Sequence, residues 1–249
     1  MSAAIGRGGN GSTEPPWLDA RDLDPAADHE PDDDALPPRD DTPAKFPMNA
    51  ALAVGVLVAV HLAVVAWTRG DFPMGRKAFH AGVLLRDRFL AEPWRIPASM
   101  ILHANPRHVL SNALGTAAFG IPLITEIGLA RAALVYLLSG VGGGLAAVLL
   151  GSTGGGVVGS SGAVAGLFGA WAVVRLHRDS SETLLPWRAR IRTLGVALLV
   201  LPSFLSPYTA EGHPVSVASH LGGLATGMAI GAGLAFRVVE TVRQRRRMA

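Results

Sequence analysis

The sequence contains no cysteine. Neither a disulfide framework nor a thiolate metal or redox site is therefore available, and any nucleophile has to be a hydroxyl or an amine. Charge and aromatic rings are sparse as well: Asp, Glu, Lys and Arg make up 16% of the 249 residues and aromatics 6%, whereas 49% are hydrophobic. With a positive mean hydropathy, this is the composition of a membrane protein. The formal net charge of +3 hides a segregation. Acidic side chains crowd into positions 1–41, with Asp32, Asp33 and Asp34 in a row, while the other end carries Arg243, Arg245, Arg246 and Arg247. Basic residues beside apolar helices set their orientation, so the balance is not read as a nucleic-acid footprint.

Residues 1–45 are rich in Gly, Pro, Asp and Ser and almost without apolar periodicity. Such a segment cannot bury enough surface to offset its ordering entropy, and a disordered acidic tail is expected. It lacks the basic start and apolar core of a signal peptide. Positions 46–240 hold the membrane domain and 241–249 a short basic tail. The first apolar run, 48–67, has the length that a hydrocarbon core of about 30 Å demands. His61 lies inside it, where a structural role is expected. Segment 68–106 interleaves Arg76, Lys77, Arg86, Arg88 and Arg95 with Phe79, Val83, Leu84 and Phe89, the mixture of an ordered loop partly embedded in one leaflet. Five more apolar stretches follow at about 107–125, 131–150, 160–174, 191–206 and 214–236. The expected fold is therefore all-α, a polytopic bundle of six transmembrane helices. Arg175, Arg178, Arg188, Arg190 and Arg192 share one connecting segment, and the loops at 151–158 and 207–213 carry neither Lys nor Arg. Both termini are accordingly expected in the cytoplasm, although the basic segment 68–106 then falls on the outer side, against the rule.

That topology places four polar residues. His108 and Asn112 fall in the first turns of the second span, Ser161 at the start of the fourth and His220 about two turns into the sixth. Each of those helices starts from the outer face. At about 1.5 Å per residue, all four side chains lie within roughly 10 Å of one surface. Polar groups weaken an apolar bundle, so four at one level indicate a site. A serine hydroxyl needs a general base, and the imidazole of His220 is the best placed candidate for Ser161. The inner parts of the six spans hold no Asp or Glu, which points to a Ser-His dyad without an acidic third member. An oxyanion would find donors in the backbone N–H of Ser161, the amide of Asn112 and a ring N–H of His108. Gly155, Gly156 and Gly159 permit close approach of a substrate strand, and Gly159 and Gly162 are the candidate substrate-binding positions. Gly162 and Gly166, like Gly223 and Gly227, are four apart and predict close helix contact, the latter pair bringing the sixth helix against the fourth.

In sum, the ordered motifs resemble those of rhomboid intramembrane serine proteases over about 150 positions. Trp94-Arg95 resembles the family's loop motif; His103, His108 and Asn112 resemble its His-rich approach to the second span. Glu126, Gly128 and Arg131 are similar to its turn between the second and third spans. Gly159-Ser160-Ser161-Gly162 resembles the GxSG nucleophile motif, and Ala218-Ser219-His220-Leu221-Gly222-Gly223 with Gly227 the base-bearing helix. The resemblance implies cleavage of a substrate's transmembrane segment near its outer end by Ser161 and His220. It further implies His108 and Asn112 in the oxyanion hole, and access controlled by the fifth helix and the loop between spans five and six. One departure stands out: four residues after Ser161, where the family often has an aromatic against the catalytic His, this sequence has Ala165. His103 is expected to fasten the loop, and His80, His177 and His213 to be solvated.

The implied partners are transmembrane protein substrates and the lipid bilayer, with no nucleic acid, no cofactor and no metal, in a bacterial plasma membrane. Two other readings compete. One is a noncatalytic rhomboid-like protein that binds and retains membrane proteins, which usually lacks the serine or the histidine. The other is a small-solute transporter, against which stands the clustering of polar residues near one face instead of at the midplane. A soluble GxSxG hydrolase is excluded by Ala163 and by the absence of alternating strand and helix patterns.

Overall fold

The computed structural model describes residues 47–68, 76–151, 156–179, 186–208 and 214–248. The acidic tail, the loop positions Gly154 and Gly155, His213 and Glu211 lie outside the described residues. Every named element is helical. In chain order these are α1 (Met48–Thr68), α2 (Arg76–Ala81), α3 (Arg95–Ile101), α4 (Pro106–Gly115), a π-helical turn (Thr116–Gly120), α5 (Ile121–Ile127), α6 (Leu129–Leu150), α7 (Ser161–Asp179), α8 (Pro186–Leu205) and α9 (Val217–Met248). Two isolated antiparallel bridges, Leu84 with Val157 and Tyr208 with Pro214, complete the described pairing.

α7 is the axis of the fold. Its residues 162–170 are all buried, as a helix apolar on every side requires, and it packs chiefly on α9 and α6. Small residues make this possible. A Cβ on Gly223 would lie 2.6 Å from the carbonyl carbon of Gly162, and one on Gly227 would lie 2.5 Å from that of Gly166. The backbones of α7 and α9 therefore touch along the line that the glycine spacing predicts. In lipid, where apolar burial itself gives little between helices, such packing is the main attraction. Around this seam, Phe119, Leu123, Val135, Leu167, Phe168 and Phe204 form the main apolar cluster.

Among the described residues, three helices are long and apolar enough to cross a membrane: Met48–Thr68, Leu129–Leu150 and Val217–Ala235. Their outward faces agree, with Leu52 65% and Leu150 79% exposed. The other expected spans are diluted or interrupted. α8 begins with Arg188, Arg190 and Arg192, and α7 continues past Val174 through Arg175 and Arg178 to Asp179. The second span is not one regular helix. Pro122 follows the π turn; lacking an N–H and crowding the carbonyl four residues back, a proline is eased by local widening of the helix.

The segment before α4 is ordered, as its mixed sequence predicts. Arg95 is 3% exposed and reaches the carbonyls of Phe79 at 2.7 Å and Val83 at 3.0 Å. Its guanidinium also pairs with Glu92 and lies over the rings of Phe79 and Trp94. Leu84 and Ile96 pack with Val148 of α6. Arg86 donates to the carbonyls of Gly151 at 2.8 Å and Leu149 at 3.2 Å, satisfying acceptors that the end of α6 leaves without helical partners.

Candidate active site

Ser161 is the first residue of α7, and the loop before it is held from two sides. Leu84 and Val157 exchange backbone hydrogen bonds of 3.1 and 2.8 Å, and the Gly159 N–H donates to the Ser99 carbonyl at 2.9 Å. Gly159 has a φ of +112°, which L side chains rarely adopt. A Cβ there would also stand 2.5 Å from Cε1 and 2.7 Å from Nε2 of His108. The Ser160 carbonyl accepts the first helical bond, from Val164 N–H at 3.0 Å. The N–H groups of Ser161, Gly162 and Ala163 thus belong to the helix terminus, where no carbonyl within the helix faces them.

His220 comes from α9, one turn from its start and not two. α9 begins at Val217, and the Ser216 hydroxyl before it accepts from the Ser219 N–H at 3.2 Å. The His220 ring is 6% exposed and makes two contacts that fix its protonation pattern. Its Nδ1 lies 2.9 Å from the carbonyl oxygen of Phe204, and its Nε2 lies 2.9 Å from the Ser161 Oγ. A carbonyl only accepts, so Nδ1 carries the hydrogen and Nε2 of the neutral ring is left to accept from the serine hydroxyl. This is the arrangement in which an imidazole can take a proton from a serine as it attacks an electrophile. The seam glycines sit beside it, Gly162 next to Ser161 and Gly223 one turn after His220.

The remaining polar residues form a second layer. The Asn112 amide donates from Nδ2 to His103 Nε2 at 3.0 Å, while the other ring nitrogen of His103 donates to the Ile101 carbonyl at 3.2 Å. Ser160 Oγ lies 3.4 Å from that same Nε2. Burial, with His108 and His61 nearby, pushes His103 down to about 3, so the ring is neutral at physiological pH. His61 and His108 meet His103 edge-on, with ring centroids at 4.7 and 4.9 Å. The intramembrane His61 is therefore packed and partnered, and His103 fastens Asn112 as well as its own loop. Of the residues singled out from sequence, Ser161 and His220 are in direct contact, and His108 flanks them through Gly159. Asn112 joins through His103. Gly162, expected at a substrate surface, is also closely packed: a Cβ there would lie 2.9 Å from Ser219 Oγ and 3.5 Å from Gly143 Cα. His80 is exposed, and His177 sits within α7 and not in a loop. The Phe204 carbonyl had no signature in the sequence, because it reaches the ring from another helix, 16 positions away.

The rhomboid domain profile matches residues 90–237, more than half of the chain. The chain belongs to the rhomboid family. Among similar proteins, RHOMBOID-like protein 1 of Arabidopsis thaliana is 37% identical over 142 residues, covering 56% of this chain and 34% of that protein. Rhomboid-related protein 2 of Mus musculus is 34% identical over 151 residues, 56% of this chain and 47% of its own length. The "Putative rhomboid protease YdcA" of Bacillus subtilis (strain 168) is 30% identical over 156 residues, 59% of this chain and 74% of that protein. The rhomboid chain thus spans less than half the length of the plant and mouse relatives. Rhomboid membership and the three apolar helices make it an integral membrane protein, and the matched region contains Ser161, His220, His108 and Asn112.

Proposed function

We propose that this chain is an intramembrane serine endopeptidase that cleaves transmembrane segments of membrane proteins near their noncytoplasmic end. The observation that carries the reading is the 2.9 Å hydrogen bond between His220 Nε2 and Ser161 Oγ, with Nδ1 occupied by a carbonyl. In the first step Oγ attacks the scissile carbonyl carbon while its proton passes to Nε2. The imidazolium then returns that proton to the leaving amine, and an acyl-serine remains. Water, deprotonated by the same Nε2, hydrolyses the ester and restores the hydroxyl. The oxyanion formed in each half is met by the Ser161 N–H at the α7 N-terminus, the His108 ring and the Asn112 amide. Six spans with both termini cytoplasmic, α4 to α5 counting as one interrupted span, put this chemistry on the outer side, in agreement with the Arg-rich connection between α7 and α8.

The Bacillus subtilis relative is named a "Putative rhomboid protease", which is in keeping with this reading. The experiment is cleavage of a single-span reporter by the full chain in proteoliposomes. Ser161→Ala and His220→Ala should each lower the rate by at least about 10³-fold while thermal unfolding stays cooperative. Cleavage at the wild-type rate by either variant would refute the dyad.

A further inference from the structure

Phe204 is the penultimate residue of α8, a helix that otherwise exposes much of its length. Leu198 is 73% and Leu199 80% exposed, whereas Phe204 is 8% exposed. Its ring packs against Phe168 of α7 with centroids 5.7 Å apart, and it meets the His220 ring in a T-shaped contact at 5.5 Å and 76°. Its carbonyl lies in the last turn, where helical carbonyls lack intrahelical donors, and accepts from His220 Nδ1. The residue one turn after Ser161 is Ala165, which is buried and offers the imidazole no ring. No carboxylate takes up Nδ1, since the carbonyl occupies it. One residue on α8 therefore supplies both things that an unsupported imidazole lacks: an acceptor that selects the tautomer and an aromatic surface that limits ring rotation.

We infer that Phe204 is the positioning residue of the general base, holding His220 through its main-chain carbonyl and its ring, so that the base is competent only while the end of α8 is seated on α7. The assignment rests on the Ser161–His220 reading. Phe204 touches the His220 ring and is not itself one of the proposed reacting pair, so it acts through His220 and not on substrate. A displacement of α8 away from α7 withdraws carbonyl and ring together, which leaves Nδ1 without its acceptor and the ring free to turn. Seating of α8 on α7 and activation of the serine are thereby coupled through a single side chain and its own backbone.

Two measurements test this on the full chain in bilayers. The first is the ring ¹⁵N spectrum of histidine-labelled wild-type protein, with His220 assigned by its loss in His220→Gln. A protonated Nδ1 and an unprotonated Nε2 are expected at neutral pH; the opposite tautomer in the wild type would overturn the inference, whatever the variants do. The second compares fluorophosphonate labelling of Ser161 in wild type and Phe204→Leu, in which Oγ displaces fluoride from phosphorus and its proton goes to Nε2. Phe204→Leu should label about tenfold more slowly, with its His220 signals split between tautomers. Wild-type labelling and an unsplit spectrum in a folded Phe204→Leu would sink the positioning role alone. Failure of wild-type protein to label, with Ser161→Ala as the blank, would instead count against the serine protease reading, and the wild-type tautomer would still decide the question of Phe204.

Discussion

Gly223→Ala tests whether the contact between α7 and α9 sets the geometry of the site. The added Cβ would lie 2.6 Å from the carbonyl carbon and 3.0 Å from the Cα of Gly162. Carbon atoms rest at about 3.5 to 4.0 Å, so the two backbones must part by about 1 Å. The obstacle is main chain on both sides, and no side chain can rotate out of the way. Gly162 adjoins Ser161 and Gly223 is three residues from His220, so the separation passes almost undiminished to the 2.9 Å bond between Oγ and Nε2. At about 3.5 to 4 Å that bond is broken. Overpacking of this kind costs about 1 to 3 kcal/mol in stability, and loss of the base contact should slow fluorophosphonate labelling and reporter cleavage by about 10²-fold or more. Gly233→Ala on the same helix is the control, because a Cβ there meets nothing within 4 Å; it should leave labelling unchanged and, by helix propensity, stabilise by up to about 1 kcal/mol. Labelling of a folded Gly223→Ala protein at the wild-type rate would refute the argument that backbone contact fixes the dyad.

Asn112→Ala should lower turnover of the reporter by the equivalent of about 2 to 4 kcal/mol with KM little changed, as for an oxyanion donor; a change confined to KM would make Asn112 a binding residue. Arg95→Ala removes a buried cation from two carbonyls and Glu92, and should reduce unfolding stability by about 2 to 4 kcal/mol. A thermal midpoint equal to that of wild type would contradict the structural role given to Arg95. The folded value of about 3 for His103 lies below the ordinary 6.5, so below pH 6.5 the unfolded chain takes up a proton that the folded chain refuses. Stability should therefore fall as pH drops from 6.5 toward 3, and His103→Gln should flatten that limb. Thermal midpoints of the wild type and the variant that run parallel over this range would remove His103 from the acid response.

Much of the site was legible in the sequence because its parts are local. A GxSG turn, histidines at helix starts and glycines four apart each state their requirement within a few residues, and the structure brings Ser161 and His220 together along the glycine seam they predict. What escaped depends on contacts between distant elements or on backbone alone. The Phe204 carbonyl belongs to every residue type, so no pattern announces it. The partnership of Asn112 with His103 follows from how the chain before α4 folds back, and spacing on one helix says nothing of it. Gly162 carries the same sequence signal whether it faces a substrate or another helix, and its close approach to Ser219 and Gly143 shows only in three dimensions. The interruption of the second span at Thr116–Gly120 was signalled by Pro122, but an apolar run reads as a span whatever its local winding.

The cord between Leu84 and Val157, the bond from Gly159 to Ser99 and the grip of Arg86 on the end of α6 all start from residues that precede α4. The loop before Ser161 is thus moored to a part of the chain that lies outside α6, α7 and α9. Nicking or shortening the turn around Arg86 to Ala91 would leave the hydrophobic helices assembled yet unmoor the serine. A version of this protein trimmed to its apolar helices would keep Ser161 and His220 but lose every one of these anchors of the loop before Ser161.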